Sequence, residues 1–372
     1  MELIKSGLIA FVASLFCIWL LRPLAIRIGF VDRPNDRKWH GREVPLIGGI
    51  SMFFSFCFAL LTLSTSLLPY RGMLAGSSIL VLMGVVDDFS DLSSKLRLFG
   101  QLFAALLMII WGNVILSNLG NLFFLGDLKI GLWAIPITVI VVLANINAMN
   151  MIDGQDGLAG GVALGEALLL LLVSVKLHQV SNFNLLFILI ILLIAFLGFN
   201  MRLPWRKEAS IFMGDSGSTF IAFLLAWFAI DLSQQNLALI KPMTILWIMA
   251  FPLFDLINVI VLRVRQKKSI IVASRDHFHH VLHVAGLDTS LSTLLLCVLS
   301  LLLGIFGLAL NYFTVSDGWQ FILWVGALFC YIYIVELTRK PIMENEIDIV
   351  ANPEGLALVT KTSCNAGTQN FK

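Results

Sequence analysis

The chain is 372 residues long, 59% of them hydrophobic and only 13% charged, with a formal net charge of +2. Soluble domains carry roughly 45–50% apolar and about 25% charged residues, and a mean hydropathy of +0.92 with 28 Phe is more apolar surface than one soluble core can bury. A soluble enzyme, a disordered chain and a nucleic-acid binder are thereby excluded, and a polytopic membrane protein remains.

In chain order, at about 20 apolar residues per crossing, the sequence predicts an all-α integral membrane protein of about 11 transmembrane helices: 6–28, 48–67, 72–88, 98–116, 130–149, 158–177, 183–200, 215–232, 243–264, 289–311 and 319–338. The first apolar run, Leu8 to Leu21, lacks a small-residue cleavage site and is followed by Arg22 and Arg27, so it reads as a retained span. The five cysteines show no C-x-x-C spacing and indicate neither a disulfide framework nor a thiolate metal site. With alternate loops on opposite sides, 20 of the 25 basic residues fall on one side, leaving Lys5, Arg71, Lys129, Lys176 and Lys241 for the other. The positive-inside rule then puts the N-terminus outside (periplasmic) and the C-terminus in the cytosol. Residues 1–338 form one transmembrane domain, and 339–372 read as a cytosolic, disordered tail.

Five inner segments hold nearly all the residue types that do chemistry. The first, GFVDRPNDRKWHGREVPLIGGI, mixes both signs and brings Asp32 and His40 to a basic lip suited to an anionic lipid or a nucleotide phosphate; a plain positive-inside anchor is the competing reading. The second, VVDDFSDLSSKLR, sets Asp87 and Asp88 at the end of an apolar run, with Asp91 one helical turn after Asp87. Carboxylates crowded at a membrane boundary need cations or protons to neutralise them, and Lys95 and Arg97 supply part of that charge. Either a salt-bridged helix end or a site for a divalent metal or general base acting on phosphate results.

In the third segment, NINAMNMIDGQDGLAGG, the residues Asn147, Asn150, Asp153 and Asp156 recur every three positions, one polar stripe if helical, until Gly154 and Gly157 loosen the helix. Oxygen ligands beside Gly-rich backbone suit Mg²⁺ with a diphosphate; a polar interhelix seam is the weaker option. The fourth, FMGDSGS, places Asp215 at the start of a span, either as a helix cap or beside free N–H groups suited to phosphate. The fifth gathers Arg275, Asp276, His277, His279, His280 and His283. No Cys lies near for a zinc site, so the imidazoles and Arg275 read as donors to an anionic substrate. Asp255, two turns inside a span, either lines this cleft or pairs with Asn258.

Together, D-D-x-x-D, N-x-x-N-x-x-D-G-x-D-G, F-M-G-D-x-G-S and H-x-H-H, in this order, resemble the polyprenyl-phosphate N-acetylhexosamine-1-phosphate transferases, and most nearly their bacterial undecaprenyl-phosphate N-acetylglucosamine branch. The likeness runs from about Gly29 to Gly286. The muramoyl-pentapeptide branch typically has three consecutive histidines, which Phe278 interrupts here. The resemblance implies transfer of N-acetylglucosamine 1-phosphate from UDP-N-acetylglucosamine to undecaprenyl phosphate with release of UMP. That reaction opens the synthesis of lipid-linked surface polysaccharide of the O-antigen or enterobacterial common antigen type. Another UDP-N-acetylhexosamine or the UDP-muramoyl-pentapeptide is the alternative donor.

By the same resemblance the enzyme sits in the bacterial inner membrane with its site on the cytosolic face, and a homodimer is compatible with it. The cofactor is Mg²⁺, with Mn²⁺ as a substitute. Asp87, Asp88, Asp91, Asp153 and Asp156 carry the catalytic roles, and Asp215, Asn150 and Asp88 hold the metal. Lys95, Arg97, Asn147, Arg275, His277, His279, His280, Asp32 and His40 meet substrate. A membrane transporter is the reading from another class; it predicts midplane charges and internal repeats that the sequence does not show.

Overall fold

The computed structural model describes residues 2–33, 43–64, 66–267 and 276–351, with side chains described to residue 339. The helices are α1 (Glu2–Ile28), α2 (Gly48–Leu60), α3 (Arg71–Ser90), α4 (Ser94–Gly112), α5 (Ala134–Ile152), α6 (Leu158–Lys176) and α7 (Val180–Asn200). They continue with α8 (Gly214–Gln235), α9 (Pro242–Ile248), α10 (Ala250–Arg265), α11 (Phe278–Val284), α12 (Thr289–Tyr312) and α13 (Asp317–Ala351). A two-residue antiparallel clip, β1 (Val31–Asp32) against β2 (Val44–Pro45), leads into α2. Hydrocarbon offers the backbone no hydrogen-bond partners, so long apolar runs satisfy themselves as helices.

Each of the eleven segments marked in the sequence is occupied by helix, but they are not equivalent. Among the described residues nine helices are long and apolar enough to cross a membrane, or ten if α9 and α10 count as one bent span. The 74° bend between α9 and α10 has a local cause. Pro252 has no N–H to donate, and its ring would clash with the carbonyl of Ile248, so a helix cannot run straight through. The eleventh, α2, stops after 13 residues because the segment turns polar: the Thr62 hydroxyl donates to the Ala59 carbonyl (2.7 Å) and lies 2.9 Å from the Ser6 hydroxyl, offering the chain an alternative to the helix ladder. At the other end of the chain, α13 continues to Ala351, past residue 338 where the tail was expected to begin.

The centre of the bundle is α8, whose most apolar stretch is 94% buried among α2, α3, α5 and α6. By contrast α1, α12 and α13 turn large apolar side chains such as Trp19, Leu302 and Phe329 outward, the surface expected of helices facing lipid. Small residues bring backbones together at one end of α8. A Cβ on Gly84 would lie 2.2 Å from Ser216 Cα, and one on Gly49 would lie 2.2 Å from the Gly217 nitrogen. These are the close approaches that membrane helices use in place of a hydrophobic driving force.

The interlock is open to test. Gly84→Ala should cost about 1–3 kcal/mol through overpacking and lower the thermal midpoint of the detergent-solubilised protein. Gly198→Ala, where a Cβ meets nothing within 4 Å, should leave it unchanged or raise it slightly. Equal midpoints would remove the interlock as a stabilising contact.

Candidate active site at one end of the bundle

The C-terminal ends of α3 and α5 meet the N-terminal end of α8, and each end is built by a local device. Asp91 terminates α3 by taking a left-handed conformation (φ 45°), which Asp tolerates better than most residues. Its N–H donates to the Asp87 carbonyl (3.0 Å). The next N–H, of Leu92, donates to Asp87 Oδ1 at 2.6 Å. Ser93 then caps α4 by accepting the Leu96 N–H, so that Arg97 lies one turn in and reaches back to Asp87 Oδ2 (3.2 Å) and to Asp215 Oδ2 (4.0 Å).

Asp88 has a different task. Its carboxylate accepts the backbone N–H groups of Asp215 (2.8 Å) and Ser216 (3.4 Å), capping α8 from another helix. Gly214 makes room for this contact: its φ is +71°, and a Cβ there would sit 2.6 Å from Asp88 Oδ2. Two of the N–H groups read from the sequence as free for phosphate are therefore taken, and the cap that Asp215 was a candidate to supply comes from Asp88. Asp215 turns its side chain outward, where Asn150 Nδ2 donates to Oδ1 (2.6 Å) and also to Ser218 Oγ (2.9 Å).

The third segment is helical only to Ile152. Asn147 and Asn150 share a face of α5, whereas Asp153 caps the helix and Asp156 lies in the following turn, so the expected four-residue stripe is cut in half. Burial, reinforced by the negative charges of Asp215, Asp88 and Asp156, pushes the Asp153 carboxyl well above the usual carboxylate range. Asp156 accepts from Arg202 Nε (2.8 Å) and from the Ala209 N–H (3.2 Å).

Two clefts result. One, of about 410 Å³, is lined by Asp87, Arg97, Gln101, Asn147, Asn150, Asp215 and Thr219, with Leu80, Met83 and Gly84 on its apolar side. The other, of about 430 Å³, is lined by Gly154, Gln155, Asp156, Arg202, His279, His280, His283 and Thr289. The histidine segment is held from within the bundle: His277 Nδ1 lies 2.7 Å from Asp255 Oδ2, so Asp255 neither lines a cleft nor pairs with Asn258, the two readings the sequence offered, but holds His277. His279 is buried, its Nε2 without a hydrogen-bond partner among the described residues. Burial and the neighbouring His280 pull its pKa down to about 3, so it is a neutral imidazole in the folded protein.

Three expected site residues stand apart. Asp91 is exposed and serves as the α3 terminator; Lys95 is exposed on the first turn of α4; Asp32 sits in β1, and none of them lines either cleft. Arg275 and His40 lie outside the described residues. The sequence reading passed over Gln101, buried and accepting from Asn147 Nδ2 (2.7 Å), and Arg202, counted only as a positive-inside charge. A lone amide inside an apolar span was the available signal for Gln101; nothing in the chain pattern marked Arg202 as the partner of Asp156.

Comparison with known proteins decides what this end of the bundle belongs to. The model for glycosyl transferase family 4 matches residues 70–233, the stretch from α3 to α8 that builds the first cleft. Undecaprenyl-phosphate alpha-N-acetylglucosaminyl 1-phosphate transferases are similar over nearly the whole chain. The Yersinia pestis protein is 35% identical over 330 residues, 88% of this chain and 89% of its own length. The Haemophilus influenzae protein is 34% identical, covering 89% and 93%, and that of Escherichia coli K12 is 31% identical, covering 89% and 90%. The chain belongs to the polyprenyl-phosphate N-acetylhexosamine-1-phosphate transferase family. It is a phosphoglycosyl transferase, and its apolar helices make it a multi-pass membrane protein. The family match ends before Asp255 and the histidines, so the second cleft of the transferase is joined to the first by the fold and by the longer similarities.

Neutral His279 makes the stability of the transferase pH-dependent. A histidine whose folded pKa is depressed binds its proton only in the unfolded chain between its ordinary value of 6.5 and about 3, so stability falls as pH drops through that window. Thermal melts in detergent at about pH 7.5 and about pH 5 should show a larger loss for the wild type than for His279→Asn. Parallel losses would mean that His279 is protonated in the fold.

Proposed function

We propose that the enzyme transfers N-acetylglucosamine 1-phosphate from UDP-N-acetylglucosamine to undecaprenyl phosphate, giving undecaprenyl-diphosphate N-acetylglucosamine and UMP. The observation that carries this reading is the convergence of Asp87, Arg97, Asn147, Asn150 and Asp215 on one cleft at one end of the bundle. The names of the curated relatives supply the acceptor and the sugar. The excess of basic residues on the inner loops of the sequence supports a cytosolic site, and a bacterial inner membrane is the setting proposed for it. The product enters lipid-linked surface polysaccharide synthesis of the O-antigen or enterobacterial common antigen type.

In the reaction an oxygen of the lipid phosphate attacks the β-phosphorus of the UDP-sugar. The new P–O bond forms as the bridging P–O bond breaks, and UMP leaves with the bridging oxygen. Two anions must meet, so compensation of charge is the main demand on the protein. Arg97, 42% exposed at its side chain, offers a cation to an incoming phosphate while its other contact holds Asp87. Asn147 and Gln101 line the wall beside it. Direct attack is favoured over a covalent route through Asp88, because both Asp88 oxygens are occupied as acceptors for the start of α8.

The donor set fits Mg²⁺, or Mn²⁺ in its place. Among the described residues no three His, Cys, Asp or Glu side chains converge as a ready-made metal site. Mg²⁺ is usually held by one or two carboxylates with the rest of its shell from water and substrate phosphate. Asp215, oriented by Asn150, and Asp87 are the carboxylates that face the cleft; Asp88, committed to its cap, is not. A bound Mg²⁺ would supply charge screening on the diphosphate.

Purified protein with undecaprenyl phosphate and a panel of UDP-sugars should release UMP fastest from UDP-N-acetylglucosamine. Chelation of divalent cations should abolish release, and Mg²⁺ or Mn²⁺ should restore it. Preference for another UDP-N-acetylhexosamine would change the sugar, and no UMP from any donor would overturn the reading. Asp215→Asn should keep the fold and the link to Asn150 yet cut turnover at least about 100-fold, the scale of losing one preorganised electrostatic contact. Near-normal turnover at saturating Mg²⁺ would make Asp215 a structural residue.

A further inference from the structure

The chemistry of the first cleft does not use the buried carboxylate of Asp255. Asp255, on α10, is 1% exposed, and three donors from separate parts of the chain converge on its two oxygens. They are His277 Nδ1 at 2.7 Å, the Phe278 N–H at 3.1 Å and the Tyr331 O–H of α13 at 2.9 Å. The Phe278 ring meets Tyr331 edge-on at 5.5 Å, and Arg339, further along α13, donates to the Asp276 carbonyl at 2.7 Å. Residues 276–278 are thus fixed from two helices before the histidine segment enters α11.

The acceptor role of Asp255 fixes the proton on His277. A carboxylate surrounded by donors only accepts, so the His277 nitrogen facing it carries hydrogen. The rings of His277 and His279 lie nearly parallel, 5.8 Å apart and 11° from coplanar. His279 in turn packs on the turn that carries Asp153 and Asp156: a Cβ on Gly154 would lie 2.7 Å from His279 Nε2. Rotation of His277 therefore disturbs the wall of the second cleft.

We propose that Asp255 is a positioning residue of the transferase, which through His277 Nδ1 sets the tautomer and orientation of His277 and, by ring stacking, the seat of His279 against the Gly154 turn. It acts on the wall of the second cleft without touching the reacting phosphates. Tyr331 supports Asp255 from α13, which makes the outermost helix part of the machinery. The proposal rests on the phosphoglycosyl-transfer reading above for its kinetic consequences, but the Asp255–His277 link can be judged without turnover.

Asp255→Asn should lower kcat/KM for the nucleotide donor by about 100-fold or more, as when an orienting carboxylate behind an imidazole is neutralised. His277→Ala should do the same. Because the two act as a unit, the double variant should be no worse than the poorer single one; losses that multiply would overturn the proposal. A purely structural role would instead lower the thermal midpoint in step with activity. In ¹⁵N-histidine-labelled protein, one downfield Nδ1–H resonance should be present in the wild type and in Tyr331→Phe, and lost in Asp255→Asn and in His277→Ala. Its absence from the wild type would sink the link even if Asp255→Asn failed to fold. A wild type that shows the resonance but releases no UMP would count against the transferase reading alone.

Discussion

The first backbone N–H groups of α8 find their partner in a carboxylate from a different helix, and much of the site follows from that contact. A helix start has four unpaired N–H groups, and in apolar surroundings each unsatisfied one costs several kcal/mol. Asp88 can reach them only if α3 and α8 nearly touch, which requires Gly84 on one side and Gly214, with positive φ, on the other. Once the two helices are locked at this depth, Asp87, the neighbour of Asp88, and Asp215, the residue whose N–H is capped, are brought to the same end of the bundle. The spacing of the reactive carboxylates is thus a by-product of satisfying a helix terminus.

Electrostatically the arrangement is unbalanced by design of the chain. Asp87, Asp88, Asp153, Asp156 and Asp215 crowd one end, while Arg97 and Arg202 supply the ion pairs seen there. Burial and the charges of Asp215, Asp88 and Asp156 raise the Asp153 carboxyl accordingly. A cleft so lined repels phosphates unless cations accompany them, which is the physical ground for the Mg²⁺ proposed above. His279, held neutral, adds no positive charge to the second cleft, whose other polar lining includes Asp156, Arg202, His280 and His283.

The spans were legible because lipid enforces a simple rule, and apolar runs became helices wherever they occurred. What the rule does not encode is depth and continuity. Pro252 stood in plain sight, yet its effect depends on the carbonyl four residues earlier, and the Thr62–Ser66 stretch reads as apolar enough only when averaged with α2. In the site, motif spacing marked Asp87, Asn150 and Asp215 as residue types suited to phosphate, and the fold brings them together from three helices. The chain pattern could not say that Asp88 would spend its oxygens on a neighbouring helix, or that Asp91 would leave the helix and face away. Gln101, Arg202 and Tyr331 are single polar residues on otherwise ordinary stretches, and their partners lie 46 positions away in the first two cases and 76 in the third.

The clamp from α13 also bears on the timing of biosynthesis. The first cleft is complete once α8 has emerged, but Tyr331 and Arg339 follow Thr219 by more than 100 residues. The histidine segment itself precedes Tyr331 by 54 residues (331 − 277), so at roughly 5–20 residues per second it waits about 3–11 seconds without its final support. During that shorter interval the nascent chain holds the carboxylate cleft and a histidine segment not yet tied to α13. The contacts that hold residues 276–278 are therefore completed only when α13 is made.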